Sequence, residues 1–179
     1  MWARAMAYVW LRRCDSVGAN TLTLFRPHVE NRGRITIGSR VRLNSNWAPV
    51  ELSTGPGGAM EIGDGVYINY GTLISAQKLV RIGRDVMIGN YSIIADTEIP
   101  GIDEPPVRPV IEVRPVEIGD GAWLAARVTV LPGSSIGARA VIAAGSIVAG
   151  EIPAGAVAGG IPARVIRASS DTGRDAGPS

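Results

Sequence analysis

The feature that most constrains this chain is an aliphatic side chain that recurs every six residues. From residue 118 the spacing holds for six repeats without a slip, at Ile118, Leu124, Val130, Ile136, Ile142 and Val148. A mostly small or β-branched residue follows four positions later, as at Ala122 and Val128. Neither the period of an α-helix nor that of a simple strand explains a period of six. The pattern therefore predicts a solenoid in which each repeat supplies one short strand and one turn.

The same spacing occurs upstream. Two groups of three repeats are visible, at Ile62, Ile68 and Ile74, and at Ile82, Ile88 and Ile94. Ile37 and Val41 begin a looser copy. In the simplest arrangement three repeats form one triangular coil, and the coils stack about 4.8 Å apart through parallel ladders. The number of repeats predicts roughly five coils.

The repeats divide the chain into segments. We expect a cap over residues 1–29, the parallel β-helix over 30–167 and a disordered tail over 168–179. An excursion from the helix at about 97–115 contains Pro100 and Pro106 and interrupts the spacing. Within the cap, residues 1–14 predict a short helix that covers the open end of the solenoid. A helix lying on a membrane surface is the alternative.

Composition narrows the possible functions. Hydrophobic residues are 46% of the chain but aromatic residues only 5%, which favours a narrow interior filled by small aliphatic side chains. A net charge of +2 argues against a general nucleic-acid binder. Cys14 is the only cysteine, so neither an internal disulfide nor a cysteine metal cluster can form. No apolar run approaches the roughly 20 residues of a membrane span, and we expect a cytoplasmic location.

The repeats, the excursion and the ending together resemble the hexapeptide-repeat acyltransferases. The ending runs Gly145-Ser146, Ile152-Pro153 and Gly159-Gly160-Ile161-Pro162-Ala163. Among these enzymes the chain is most similar to the maltose, galactoside and exopolysaccharide O-acetyltransferases. The resemblance implies an all-β fold, the left-handed parallel β-helix, and a homotrimer. It also implies acyl transfer, from acetyl-coenzyme A or another acyl-coenzyme A in a groove between subunits, to the hydroxyl or amine of a sugar or other small molecule.

The resemblance also implies site residues. The backbone around Ala125, Ala143, Gly145 and Ser146 would line the pantetheine arm of the coenzyme. Gly160, Ile161, Pro162 and Ala163 would hold its adenine end, and Arg164 and Arg167 its phosphates. The acceptor would contact Asn69, Tyr70 and Asn90, with Tyr91 nearby, and Trp123 would form a wall of the groove or a trimer contact. Solvated arginines and ordinary turn asparagines are the plainer alternatives.

One expected group is missing. The family uses a histidine at the start of the excursion as general base, and Pro100 stands at that position here. The single histidine, His28, precedes the clear repeats, and a structural role suits it better than catalysis. Asp96 or Glu98 would then serve as base, or the acceptor would be an amine, which needs less help. A catalytically inactive binding or scaffold trimer is the alternative. We expect no metal, because a γ-class carbonic anhydrase site needs three histidines.

Overall fold

Each turn of the backbone makes three short strands, which pair with the strands of the coils above and below. The structure is a computed structural model that describes residues 2–97 and 112–168, with side chains from residue 6 onward. It contains one helix, α1 (Trp2–Trp10), followed by 21 strands within the described residues. The predicted all-β parallel solenoid of hexapeptide repeats is thereby confirmed.

Three sheets form the three sides of the solenoid. The first sheet consists of β1 (Ser16–Val17), β4 (Arg34–Ile37), β7 (Ala59–Ile62), β10 (Leu79–Ile82), β13 (Val116–Ile118), β16 (Ser135–Ile136) and β19 (Glu151–Ile152). The second consists of β2 (Leu22–Leu24), β5 (Arg42–Asn44), β8 (Tyr67–Ile68), β11 (Met87–Ile88), β14 (Trp123–Leu124), β17 (Val141–Ile142), β20 (Val157–Gly160) and β21 (Ala163–Arg167). The third consists of β3 (His28–Asn31), β6 (Glu51–Thr54), β9 (Leu73–Ala76), β12 (Ile93–Ala95), β15 (Thr129–Val130) and β18 (Ile147–Val148). All pairs are parallel except β20 with β21.

The six-residue spacing produces columns of buried side chains, because equivalent positions pair directly between coils. In the second sheet the inward column is Thr23, Leu43, Ile68, Ile88, Leu124, Ile142 and Ala158. Every member of this column is buried. Similar columns run down the other two sheets, through Ile62 and Ile82 in the first and Ile74 and Ile94 in the third. The core is therefore a narrow stack of aliphatic layers, which accounts for the low aromatic content.

The solenoid is longer than the repeats alone predict. Strands β1 to β18 make six complete coils rather than five, and β19 and β20 begin a seventh. The parallel stack starts at Ser16, inside the segment assigned to the cap, and its last strand is β20; the antiparallel strand β21 follows and ends at Arg167. The six-residue pattern did not predict the first coil, because Thr23 occupies an inward position where the other coils have an aliphatic residue or alanine. The first coil's inward residues Val17, Thr23 and Val29 keep the six-residue spacing, but eight positions separate Val29 from Ile37, so the spacing does not continue into the second coil.

Helix α1 covers the open N-terminal end of the solenoid. Its residue Ala7 and the following Leu11 are fully buried in the core, whereas Tyr8 and Val9 remain exposed. This packing supports the predicted end cap. No helix among residues 2–97 and 112–168 is long and apolar enough to cross a membrane.

The outer faces of the three sheets differ in chemistry. The outward positions of the first sheet carry charges that pair along the stack, as Arg81 does with Glu61 at 2.9 Å and Glu117 at 3.2 Å. The outward positions of the second and third sheets carry large apolar side chains, among them Trp123 and Ile93. One side of the solenoid therefore suits water, and the other two suit a protein neighbour.

The predicted excursion leaves the solenoid after β12 and returns before β13. Its middle, residues 98–111, lies outside the described residues, and so do Glu98 and Pro100. Thr97 and Val113 form an antiparallel bridge at its base. The chain therefore leaves and re-enters at one point, so the excursion does not disturb the stacking of β10 on β13.

Candidate functional site

Most of the site residues predicted from the sequence lie along one edge of the solenoid. We call this edge the second corner; it consists of the turns that lead from the second sheet to the third. Going up the stack, the position that follows the inward residue is Asn44, Asn69, Gly89, Ala125, Ala143 and Gly159. The corner is thus polar in the lower coils and built from glycine and alanine above. Asn69, predicted to contact the acceptor, lies in the polar part, whereas Ala125 and Ala143, predicted to line the coenzyme, lie in the part with small side chains.

Asn69 is the centre of a polar cluster in the lower coils. Its Oδ1 accepts hydrogen bonds from Asn44 Nδ2 at 2.9 Å, the Tyr67 hydroxyl at 3.3 Å and the Tyr70 backbone N–H at 3.0 Å. These contacts fix the amide orientation, with Oδ1 turned inward and the amide nitrogen left to donate. A plain turn asparagine would need only the contact with Tyr70. The extra two bonds hold Asn69 as a preorganised donor.

Aromatic rings stand beside this cluster on the same corner. Tyr70 meets Tyr91 of the next coil edge to face, with ring centroids 5.5 Å apart, and Trp47 of the previous coil at 6.3 Å. Trp47 is 79% exposed, whereas tryptophan side chains are mostly buried in folded proteins. Together Trp47, Tyr70 and Tyr91 form a stepped aromatic surface next to the amide of Asn69. We call this surface the aromatic ladder.

Sequence reasoning missed Trp47, Asn44 and Tyr67. A signal for Trp47 is present in the spacing, since paired inward residues are six apart in the third coil but nine apart, from Leu43 to Leu52, in the second. The second coil thus inserts three residues at this corner, and Trp47 lies in the insertion. Asn44 and Tyr67 carry no such signal, because the Asn44 amide that bonds to both Tyr67 and Asn69 belongs to a different coil.

The upper part of the second corner is open and lined by small residues. Ala125 and Ala143 are half-buried and Gly145 is exposed, with open space where a Cβ of Gly145 would point. Ser146 is different, because its hydroxyl is buried, donates to Ala143 O at 2.7 Å and accepts from Gly160 N at 3.2 Å. Ser146 therefore shapes the turn, while its smaller neighbours present the accessible surface.

An antiparallel hairpin of β20 and β21 lies at the upper end of this corner. Gly160, Ile161 and Pro162 form its exposed turn, which contains a cis Ile161–Pro162 bond, whereas Ala163 is buried. The side chains of Arg164 and Arg167 are exposed on β21. Neither guanidinium pairs with a carboxylate among the described residues. Both arginines are therefore available to an anion at the top of the corner.

Trp123 and Asn90 both lie near the second corner. Trp123 lies on the outward face of β14, between Met87 and Val141 of the neighbouring coils, and is 49% exposed. Asn90 is half-buried in the second corner, and its backbone carbonyl accepts from Arg127 N at 2.8 Å. The Trp123 side chain thus points out of the solenoid, and its role as a wall of the groove or a trimer contact remains a prediction.

Asp96 has a structural task that conflicts with a role as base. Its carboxylate is fully buried and accepts three backbone hydrogen bonds, from Gln77 at 2.7 Å, Lys78 at 2.6 Å and Leu79 at 2.7 Å. It lies at the third corner, where the third sheet leads to the first sheet of the next coil. A carboxylate with three donors and no exposure cannot reach an acceptor, so we do not retain Asp96 as the base.

Two exposed carboxylates are also engaged elsewhere on the solenoid. A hydrogen bond from Arg84 lowers the pKa of Asp120, and the backbone N–H of Ile35 lowers the pKa of Asp15. Both groups therefore stay ionised well below neutral pH and are poor proton acceptors there. Among residues 2–97 and 112–168, no cluster of three or more histidine, cysteine or acidic side chains has the geometry to hold a metal ion.

Comparison with known proteins identifies relatives of this architecture. The family model described as bacterial transferase hexapeptide (six repeats) matches residues 115–150. A putative lipopolysaccharide biosynthesis O-acetyl transferase, WbbJ from Escherichia coli K12, is 32% identical over 154 residues, which are 80% of this chain and 76% of that protein. Galactoside acetyltransferase in complex with coenzyme A is 28% identical, with a TM-score of 0.63, covering 92% of this chain and 70% of that one. A variant of AntD, an N-acyltransferase from Bacillus cereus, was solved in complex with dTDP and coenzyme A and is 20% identical to this chain. The match covers 92% of this chain and 89% of that one, and its TM-score of 0.78 shows a shared fold.

The anchoring role of Asp96 predicts a loss of stability in the Asp96→Asn variant. The asparagine would turn an N–H group toward one of the backbone donors, leaving buried groups unpaired, and we expect a loss of about 2 kcal/mol in the free energy of unfolding. Urea unfolding monitored by circular dichroism measures this change. Asp85→Asn, at an exposed turn position, is the control and should change stability by less than about 0.5 kcal/mol. Unchanged stability of Asp96→Asn, together with lost activity, would restore a catalytic role.

Proposed function

Because this chain belongs to the hexapeptide-repeat acyltransferases, we propose that it transfers an acyl group from a coenzyme A thioester to an amine on a sugar. The second corner carries the proposal. It joins an open lane of small residues, an arginine pair at its upper end, and an amide with aromatic rings at its lower end. Each part matches one portion of the two substrates.

The lane of small residues supports the binding of coenzyme A. An extended pantetheine arm needs close approach to backbone, which Ala125, Ala143 and Gly145 permit. Arg164 and Arg167 lie at the end of the lane and suit the phosphates of the coenzyme. Galactoside acetyltransferase, which binds coenzyme A, shares the solenoid over nearly the whole of this chain.

The lower coils support a sugar as acceptor. The carbon face of a sugar ring is apolar, and the aromatic ladder of Trp47, Tyr70 and Tyr91 offers a matching surface. Asn69 adds a fixed hydrogen-bond donor next to these rings, which suits a ring hydroxyl. A combination of stacking and an oriented amide is a suitable arrangement for a carbohydrate site.

Among the described residues around Asn69 we find no suitable base, which favours an amine over a hydroxyl. Among the described residues, the second corner offers amides and phenols around Asn69, none of which accepts a proton well near neutral pH. A neutral amine can attack the thioester carbonyl carbon through its own lone pair. The carbon–sulfur bond then breaks, the nitrogen loses one proton, and the coenzyme leaves as a thiol after taking up a proton. A hydroxyl would need deprotonation before or during the attack.

A homotrimer would complete the site. The second and third sheets both carry apolar outer faces, whereas the first is covered by ion pairs. If the second sheet of one subunit packs on the third sheet of the next, the contact is heterologous and closes into a ring after three copies. This arrangement would bring the third corner of one subunit, where the excursion begins, near the second corner of its neighbour.

The pH dependence of the reaction tests the nature of the acceptor. With acetyl-coenzyme A and glucosamine we expect release of free thiol, at a rate that rises with pH until the amine is deprotonated. Glucose, which offers hydroxyls alone, should react far more slowly at every pH. Thiol release is measured with a disulfide reagent, and mass spectrometry identifies the product. Transfer to glucose at the same rate would refute the amine preference, and no release with any acceptor would support an inactive scaffold.

Filling the lane of small residues should weaken coenzyme binding. Tyr91 already occupies the equivalent position of a lower coil with φ of 56°, so Gly145→Tyr is compatible with the backbone. We expect at least about tenfold weaker binding of coenzyme A by calorimetry, because the ring would occupy the lane. Gly57→Tyr is the matched control, since Gly57 also has a positive φ, 78°, and open space around its Cβ position, but lies at the third corner. Equal loss in both variants would argue against this lane.

Charge on the apolar faces should disrupt the trimer. Ile93 is 43% exposed on the outward face of the third sheet, and Ile93→Arg would place a cation in the proposed interface. We expect the wild-type protein to sediment as a trimer at micromolar concentration and this variant as a monomer with unchanged circular dichroism. Ser135→Arg, between Glu117 and Glu151 on the first sheet, should remain trimeric. A monomeric wild-type protein would remove the groove between subunits.

A further inference from the structure

A cleft of about 680 Å³ opens at the lowest part of the second corner, between helix α1 and the turn after β2. Two segments distant in sequence meet there. Leu11 is buried in the core and places Arg12 and Arg13 at the rim, while the corner supplies Arg26 and His28. Trp10, Pro27 and Pro49 are among the residues that complete the walls.

The cleft collects positive charge without a matching carboxylate. Among the described residues, neither Arg12 nor Arg26 forms an ion pair, and Arg13 donates to the Val29 carbonyl at 3.2 Å. The acidic residue beside His28 in the strand ladder is Glu51, which does not line the cleft. Three guanidinium groups around one concave surface repel each other, and an anion between them would remove that repulsion.

The cleft lies on the same corner as the proposed acceptor site, two coils below it. Arg26 lies on the corner of the first coil and Asn69 on that of the third, with Trp47 on the coil between them. At the usual strand spacing, two coils correspond to about 10 Å along the solenoid axis. This is about the reach of one sugar ring with a phosphoester linkage. A sugar on the aromatic ladder would therefore extend its phosphate toward the arginines.

We propose that the arginine cleft binds a phosphate or diphosphate group carried by the acceptor, so that the substrate is a phosphorylated amino sugar. This inference rests on the proposed function for the identity of the acceptor, but the anion site itself does not. Guanidinium groups suit phosphate because their planar N–H donors match its oxygens. A soluble sugar phosphate and a lipid-linked one present the same chemistry to Arg12 and Arg26.

Inorganic pyrophosphate is the direct probe of the anion site, used with the full chain and without coenzyme A. We expect binding by calorimetry that weakens as salt is added. In the double variant Arg12→Ala/Arg26→Ala, binding should fall by about tenfold for each guanidinium removed. Both side chains are exposed, so this variant should keep its fold, which circular dichroism checks. Arg42→Ala/Arg139→Ala removes the same charge elsewhere and should bind as the wild type does.

Kinetics with two acceptors test the link to substrate. Wild-type protein should show a lower KM for glucosamine 1-phosphate than for glucosamine. The double variant at Arg12 and Arg26 should lose this difference while its kcat and its KM for glucosamine stay unchanged. If the wild-type protein prefers glucosamine 1-phosphate and only the double variant loses this preference, the result supports phosphate binding in the cleft. Equal KM values for the two acceptors in the wild-type protein would overturn the proposal for the substrate.

Two further outcomes separate this inference from its alternatives. No heat with pyrophosphate, or equal heat in the wild type and the double variant, overturns the anion site even if acyl transfer to glucosamine is observed. Pyrophosphate binding without acyl transfer to any acceptor keeps the site and refutes the proposed function. Co-sedimentation with phosphatidylglycerol vesicles, lost in the double variant and unaccompanied by pyrophosphate binding, would identify a membrane contact instead.

Discussion

The direct stacking of equivalent residues from coil to coil is the constraint on which the rest of this structure depends. Each inward aliphatic residue rests on its counterpart one coil away, as Ile68 does on Ile88 and Leu124 does on Ile142. A solenoid core is only one side chain deep from each sheet, so register cannot slip without exposing a whole column. Because the register is fixed, the corners are stacked as well. A functional site can then consist of single residues from successive coils, aligned along one edge of the solenoid.

The line along the second corner shows how this works. The same corner position carries Asn44, Asn69, Ala125 and Ala143 in different coils, so each coil presents a different side chain at the corner without altering the core. Insertions are tolerated at corners for the same reason. The three extra residues that present Trp47 and the long excursion after Asp96 both leave the strands on either side paired in register. The buried carboxylate of Asp96 ties down the neighbouring turn where that longer excursion leaves.

The sequence predicted the solenoid because the six-residue spacing is a direct record of the stacking. It did not predict the first coil, where Thr23 replaces an aliphatic residue, since a single buried threonine resembles an ordinary turn residue in the absence of its neighbours. Contacts between coils were also hidden. The bonds from Asn44 to Tyr67 and Asn69 join positions 23 and 25 residues apart, and the bond from the Lys78 N–H to Asp96 joins positions 18 residues apart. Spacing shows which residues share a corner, but it does not show which polar atoms will face each other.

The distribution of charge favours an edge of the solenoid, rather than a face, for the proposed site. Ion pairs such as Arg81 with Glu61 cover the first sheet, and they hold that face in water. The apolar outer faces of the second and third sheets meet at the second corner, so packing of neighbours against those faces would place this corner beside another subunit. An edge enclosed in this way is shielded from water while its ends stay open. The arginines at its two ends, Arg26 below and Arg164 above, would then face substrates that enter the same groove from opposite directions.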